Sequence, residues 1–188
     1  MEPLKRFTRS GKPLGNPSVR EEIAATKNPE LELALEWSEA VNRDIADMVH
    51  GVPPFPYVRE CLERFGKLAD LMCVSSTPVA ALTAEWNEHD IAKYAARIVG
   101  QEAASKRQVI QAAASLGYEK EKILMVGDAI GDLEAAHSSG ALFYPIVPGE
   151  EEASWERFFR EGLEKFQNGT YAGDDEKKRI EGFLERLP

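Results

Sequence analysis

Apolar residues form two kinds of pattern along this chain. Short runs at 71–74, 123–126 and 141–147 are rich in β-branched or long apolar side chains, which predicts strands that are covered on both faces. Arg97-Ile98-Val99 is short and β-like and is predicted as a candidate edge strand. Segments with a period of three to four follow them, at 78–87, 105–116, 132–139 and 153–166, which predicts helices. Alternating strands and helices of these lengths predict an α/β fold with a parallel, three-layer sheet.

The first quarter of the chain is predicted to be helical. Ser18-x-x-Glu21 has the spacing of a capping box and predicts a helix to about residue 26. Asn28-Pro29 predicts the start of a longer helix that runs to about Val49. Prolines at 53, 54 and 56 interrupt this pattern. We therefore predict a helical segment over residues 1–52 and a core over residues 53–188.

Length, net charge and cysteine content limit the classes of protein to which this chain can belong. A length of 188 residues allows one main domain with a small appendage, and a net charge of −9 argues against nucleic-acid binding. Cys61 and Cys73 lie in apolar contexts, so free thiols in a reducing compartment are the simplest interpretation, although a disulfide between them stays open. No apolar run approaches membrane-spanning length. We expect a cytoplasmic protein that binds neither nucleic acid nor membrane.

The strongest candidate for chemistry is the end of the run at 123–126. Gly127 permits a sharp turn, Asp128 follows the strand, and Asp132 falls in the first turn of the next helix. Two carboxylates at this spacing suit a cation site. Taken alone, the pattern is equally consistent with an N-cap and an acid that complements the helix dipole.

Two further stretches carry polar groups at corresponding positions. The run at 71–74 ends in Ser75-Ser76-Thr77-Pro78, which by itself is typical of a helix start. Ser105-Lys106 opens the next long helix, where a lysine is usually only solvated. Because parallel strands and the helices that follow them meet at one edge of a sheet, these groups are expected to converge there.

Taken in order, the three motifs resemble the second, third and fourth motifs of the haloacid dehalogenase superfamily of hydrolases, over about residues 53–148. The resemblance implies a Rossmann-like core and a phosphatase that acts on a small phosphorylated metabolite with Mg²⁺. It implies that Ser75, Ser76 and Lys106 bind phosphate and that Asp128 and Asp132 hold the metal. Ser75, Lys106 and Asp132 would be the catalytic residues, with Asp132 holding a metal-bound water or orienting Lys106.

The chain departs from the family at the first motif. Asp-x-Asp, which supplies the nucleophile, does not occur in these residues. Asp44 and Asp47 are three positions apart in a helical pattern, so we reject them as nucleophile and acid. The resemblance places the lacking strand between those that end at Ser75 and Asp128, and residues 1–52 resemble the later part of a helical cap.

Three interpretations follow from that departure. The favoured one is a phosphatase whose leading segment is not among these residues. The second is a binding or scaffolding protein that keeps the phosphate and metal groups without turnover. The third is one part of a split enzyme that a second polypeptide completes with the nucleophile strand. In each case we expect these residues alone to be inactive, because none of the candidate side chains can attack phosphorus in place of the aspartate.

Overall fold

Four short strands lie at the centre of the core: β1 Met72–Val74, β2 Arg97–Val99, β3 Leu124–Gly127 and β4 Leu142–Pro145. In the computed structural model, which describes residues 2–12, 14–48 and 50–187, they form two parallel pairs, β1 with β2 and β3 with β4. Cys73 is opposite Ile98 in the first pair, and Val126 is opposite Tyr144 in the second. The α/β fold is therefore as predicted, but the sheet is divided. The described strands form two separate pairs, and the resemblance places the lacking strand between β1 and β3.

Helices connect the strands as the periodicity predicts. The core helices are α4 Val58–Phe65, α5 Val79–Glu88, α6 Lys106–Ser115, α7 Ile130–Ser139, α8 Glu151–Arg157, α9 Leu163–Gln167 and α10 Asp174–Leu184. A π-helical turn, Phe158–Gly162, joins α8 to α9 without a break. The helix predicted over 153–166 is thus confirmed, and all strand-to-strand connections among the described residues include a helix.

Side chains of β3 and β4 alternate between two apolar clusters, one on each face of the strands. One cluster contains Tyr144 with residues of α4 and of the α8–α9 helix, and the other contains Phe143 with residues of α6, α7 and α10. This alternation gives a helical layer, a strand layer and a second helical layer. Phe158 is buried in the first cluster, and Trp155 and Phe159 pack against it, so the aromatic face of this helix belongs to the core.

The N-terminal helices are α1 Glu2–Thr8, α2 Asn16–Thr26 and α3 Pro29–Met48. The predicted start of α3 is confirmed, because the Asn28 side-chain oxygen accepts the Glu30 N–H at 3.0 Å. The capping box at Ser18 is wrong: α2 begins earlier, with Gly15 as its N-cap and Pro17 in its first turn. Proline fits that position because its missing N–H has no intrahelical partner there. The predicted end at Val49 lies outside the described residues.

Two features of this segment differ from the simplest sequence expectation. Helix α1 was not predicted, since it has little apolar periodicity, and one buried side chain, Phe7, packs it into the structure. Trp37 lies on the apolar face of α3, yet 69% of it is exposed. The division at residue 52 remains a prediction, and a hydrogen bond of 3.2 Å from the Asn16 N–H to the Gln101 side-chain oxygen crosses it.

The remaining expectations concern thiols and membrane spans. Cys61 and Cys73 are both free, with Cys61 buried on α4 and Cys73 half-buried in β1. Among the helices that the structure describes, none is both long and apolar enough to cross a membrane.

Candidate functional site

The turn after β3 is organised by the carboxylate of Asp132. Its Oδ2 accepts the N–H groups of Asp128 and Ala129, both at 3.2 Å, and the residue is only 2% exposed. Gly127 makes this possible, because a Cβ at that position would collide with the Asp132 carboxylate. Asp132 therefore fixes the backbone from which the Asp128 side chain projects.

Lys106 contacts the other oxygen of the same carboxylate. A capping box places Lys106 at the start of α6: Ser105 Oγ accepts the Gln108 N–H at 3.3 Å, and Gln108 Oε1 accepts the Ser105 N–H at 2.8 Å. From there the Lys106 ammonium group forms an ion pair with Asp132 Oδ1. A buried carboxylate needs such a partner, because an uncompensated charge in the interior is strongly unfavourable. The structure thus brings together two predicted site residues that are remote in sequence.

Asp128 differs from Asp132 in having a free carboxylate. Its side chain is exposed, and no contact to it is found in residues 2–12, 14–48 or 50–187. Within the same ranges no three His, Cys, Asp or Glu side chains converge on a point. Mg²⁺ is commonly held by one or two carboxylates, several waters and the phosphate of a substrate. Asp128 fits one of those ligands, and the contacts of Asp132 favour its orienting role over direct metal coordination.

The hydroxyl residues after β1 form a local turn of their own. Ser75 N–H donates to the Val99 carbonyl at 3.0 Å, which holds the turn to the end of β2. Ser75 Oγ accepts the Thr77 N–H at 3.2 Å and donates to Thr77 Oγ1 at 3.1 Å. Ser76 is exposed. In the described part of the chain, no hydrogen bond joins Ser75 or Ser76 to Lys106 or Asp128, so what these residues share is their position after parallel strands.

The loop after β2, residues 100–102, contacts the turn formed by residues 75–77, which we call the hydroxyl turn. This loop was not predicted as part of the site. Gln101 N–H donates to the Thr77 carbonyl at 3.1 Å, and Glu102 Oε2 accepts the Val79 N–H at 3.2 Å. Gly100 is required at this approach, because a Cβ there would collide with the Val79 nitrogen. The glycine directly after the 97–99 run was the one sequence signal for this contact.

A cavity of about 390 Å³ lies between the N-terminal helices and these loops. Its lining residues are Asn16, Pro17, Arg20, Glu39, Asn42, Arg43, Pro78, Gln101 and Glu102. Arg20 and Glu39 form an ion pair of 2.7 Å on its wall. None of the predicted site residues lines the cavity. It adjoins the hydroxyl turn through Pro78.

Comparison with known proteins assigns the family. Residues 13–145 match the model of the haloacid dehalogenase-like hydrolases, so this chain belongs to that family, and the resemblance stated from the motifs is confirmed. A solved structure with a similar fold is that of a Thermotoga maritima protein assigned as a beta-phosphoglucomutase. It has 21% sequence identity and a TM-score of 0.47, and the match covers 77% of this chain and 69% of that one. A search of curated proteins finds no match.

Proposed function

We propose that this chain carries the phosphate-binding and metal-binding half of a phosphatase-type site. Its substrate would be a phosphate monoester of a small metabolite, and the reaction class is phosphoryl transfer to an aspartate followed by hydrolysis. The nucleophile is not among the candidate residues of this chain, so the chain alone is expected to bind phosphate without turnover.

The observation that supports this proposal most strongly is the contact between Lys106 and Asp132. It orients one ammonium group beside the turn that follows β3, and it leaves the remaining N–H donors of Lys106 available to an anion. A phosphoryl group needs positive charge and hydrogen-bond donors on several sides, since charge is spread over its oxygens as it transfers. In this proposal, Ser76 and the backbone of its turn would supply further donors.

Each residue then has a separate task. Lys106 binds a phosphoryl oxygen and neutralises its charge, and Asp132 orients Lys106. Ser75 and Ser76 donate hydroxyl hydrogen bonds, which for Ser75 requires its hydroxyl to rotate away from Thr77 Oγ1. Asp128 would hold Mg²⁺, which when bound polarises the phosphoryl group as a Lewis acid.

Binding of inorganic phosphate tests the proposal directly. We expect addition of phosphate with MgCl₂ to shift the backbone amide NMR signals of Ser76, Thr77 and Lys106. Lys106→Met should weaken phosphate binding by at least about tenfold, the scale of one charge-assisted hydrogen bond. Arg107→Met is the matched control, because Arg107 is exposed on the next position of α6 and makes no contact found in the described ranges.

Catalysis is tested separately with p-nitrophenyl phosphate and MgCl₂. We expect no turnover by the 188 residues alone. Phosphate binding that persists unchanged in a folded Lys106→Met variant would refute the assigned phosphate site. If the wild-type chain does hydrolyse p-nitrophenyl phosphate and Asp128→Ala abolishes that turnover, this chain contains its own nucleophile.

A further inference from the structure

Helices α2 and α5 both begin without a capping side chain of their own. The N-cap residue is Gly15 in α2 and Pro78 in α5, and neither forms a side-chain cap hydrogen bond. The first N–H groups of a helix have no intrahelical partner, so they need acceptors from elsewhere. For both helices an acceptor comes from the loop after β2, residues 100–102.

Consecutive side chains of this loop cap the two helices. Gln101 Oε1 accepts the Asn16 N–H of α2 at 3.2 Å. Glu102 Oε2 accepts the Val79 N–H of α5, also at 3.2 Å, and its negative charge complements the partial positive charge at the start of that helix. One short loop therefore connects a helix of the N-terminal segment with a helix of the core.

Gln101 is bonded to both sides of this connection. Its backbone N–H donates to the Thr77 carbonyl of the hydroxyl turn at 3.1 Å, while its side chain accepts from Asn16. Both approaches are close. A Cβ on Gly15 would lie 3.0 Å from Gln101 Oε1, and a Cβ on Gly100 would lie 2.8 Å from the Thr77 carbonyl oxygen. We call the two hydrogen bonds, from Asn16 to Gln101 and from Gln101 to Thr77, the Gln101 bridge.

The Asn16 end of the bridge is a contact between two parts of the chain. In residues 2–12, 14–48 and 50–187, it is the one hydrogen bond that joins α2 to the core. Asn16 and Gln101 also line the cavity of about 390 Å³ between the N-terminal helices and the loops of the core. A movement of α2 that changes the width of this cavity would therefore break the bridge.

We propose that Gln101 is a positioning residue that couples helix α2 to the proposed phosphate site. With the bridge formed, loop 100–102 is held between α2 and the hydroxyl turn, and the turn keeps one backbone arrangement. Donors that are already fixed bind an anion better than donors that must first be ordered, since ordering costs free energy. The coupling to phosphate rests on the proposed function, whereas the bridge itself rests on the two hydrogen bonds.

Coupling between two sites acts in both directions. Phosphate bound at the hydroxyl turn should hold α2 more firmly through Gln101. Loss of the bond between Gln101 and Asn16 should in turn weaken phosphate binding by the same factor. We expect that factor to be at least about five, the lower end of the range for coupled sites.

Hydrogen exchange of the Asn16 amide, measured by NMR on the full chain, reports on the bridge. Gln101 Oε1 is the one acceptor of this N–H in the described part of the chain. Without phosphate, Gln101→Met should speed the exchange by about tenfold, the scale of one hydrogen bond. Inorganic phosphate with MgCl₂ should slow the exchange in the wild type by at least about fivefold and leave it unchanged in Gln101→Met.

Two further variants separate a positioning role from a merely structural one. Gln101→Glu keeps an acceptor oxygen at the same reach, so it should restore both the slow exchange of the Asn16 amide and its response to phosphate. Gln111→Met is the matched control, because Gln111 is exposed on α6 and its side chain makes no contact found in the described ranges. Circular dichroism and thermal melting identify any variant that fails to fold, and the wild-type comparison with and without phosphate does not depend on the variants.

Equal exchange of the Asn16 amide in the wild type and in folded Gln101→Met would overturn the bridge. Coupling is overturned if phosphate binds the wild type without slowing that exchange, or if calorimetric titration gives Gln101→Met the phosphate affinity of the wild type. No phosphate binding to the wild type would refute the proposed function and with it the coupling. The exchange difference without phosphate would still decide whether the bridge exists.

Discussion

The ammonium group of Lys106 contacts the carboxylate of Asp132, which lies 2% exposed behind the turn that follows β3. This pair connects the start of α6 with the start of α7. Of the acids in the Asp128–Asp132 pair, Asp128 is the one whose carboxylate has no contact to the residues that the structure describes. The contact therefore links the stability of the core to the geometry of the candidate site.

Removing one charge of the Lys106–Asp132 pair should lower the free energy of unfolding more than removing both charges. Lys106→Met leaves a buried carboxylate with only two backbone donors, and we expect a loss of about 2 kcal/mol in the free energy of unfolding. The double variant Lys106→Met with Asp132→Asn should recover part of that loss. Urea denaturation of the single and double variants measures the coupling energy between Lys106 and Asp132. Losses that simply add would contradict the predicted coupling. Arg107→Met should change stability by less than about 0.5 kcal/mol.

Gly127 and Gly131 offer a matched pair of substitutions around Asp132. A Cβ at residue 127 collides with the Asp132 carboxylate, whereas nothing lies within 4 Å of a Cβ at residue 131. We expect Gly127→Ala to destabilise the protein by about 1–3 kcal/mol, the range for a forced steric overlap, and to broaden the Asp128 and Ala129 amide signals. Gly131→Ala should stabilise it by about 0.5–1 kcal/mol, since alanine favours the helix. Equal changes in melting temperature in the two variants would contradict the predicted collision between a Cβ at residue 127 and the Asp132 carboxylate.

Asp128 should affect ligand binding without affecting stability. Because its side chain is exposed and forms no described contact, Asp128→Asn should change the free energy of unfolding by less than about 0.5 kcal/mol. The same change should remove any increase in phosphate affinity that MgCl₂ produces, since a neutral amide is a weaker ligand for a hard cation. Calorimetric titration of phosphate with and without MgCl₂ measures this; a magnesium effect that survives in Asp128→Asn would remove Asp128 from the metal site.

Both thiols should react slowly in the folded state. Burial raises the pKa of Cys73 to about 11, with a further contribution from the Glu85 carboxylate, and burial raises the pKa of Cys61 to about 12. The thiolate is the reactive form, so a raised pKa lowers its population at pH 8. We expect alkylation by iodoacetamide at pH 8 to be at least about tenfold slower than for the urea-unfolded chain, where the ordinary thiol pKa of about 8.5 applies.

The rate for the folded chain should rise as pH approaches 11, and Cys73 should react before Cys61. Mass spectrometry of the labelled peptides identifies which thiol reacts. Faster labelling of Cys61 than of Cys73 at pH 8 would contradict the order of the two pKa values.

The sequence alone determined the class of fold and the residue types at the strand ends. A strand that is buried on both faces has an unbroken apolar run, whereas a helix that is buried on one face has apolar residues every three to four positions. Each pattern therefore predicts its element from the sequence. Asn28 and Gly127 were recognisable because capping and tight turns depend on local chemistry, whereas the role of Lys106 was implied by the family resemblance. Helix α1 was not recognisable, since it has little apolar periodicity and Phe7, its buried side chain, is covered by tertiary packing.

Tertiary structure alone decided which of those residues meet and where the strands separate. The role of Asp132 became visible only through its contacts with Lys106 and the Asp128 backbone, and the loop at 100–102 only through its contact with the hydroxyl turn. The division of the strands into two separate pairs is likewise a property of pairing between strands remote in sequence. Local patterns specify a strand, but backbone hydrogen bonds to another strand determine its neighbour.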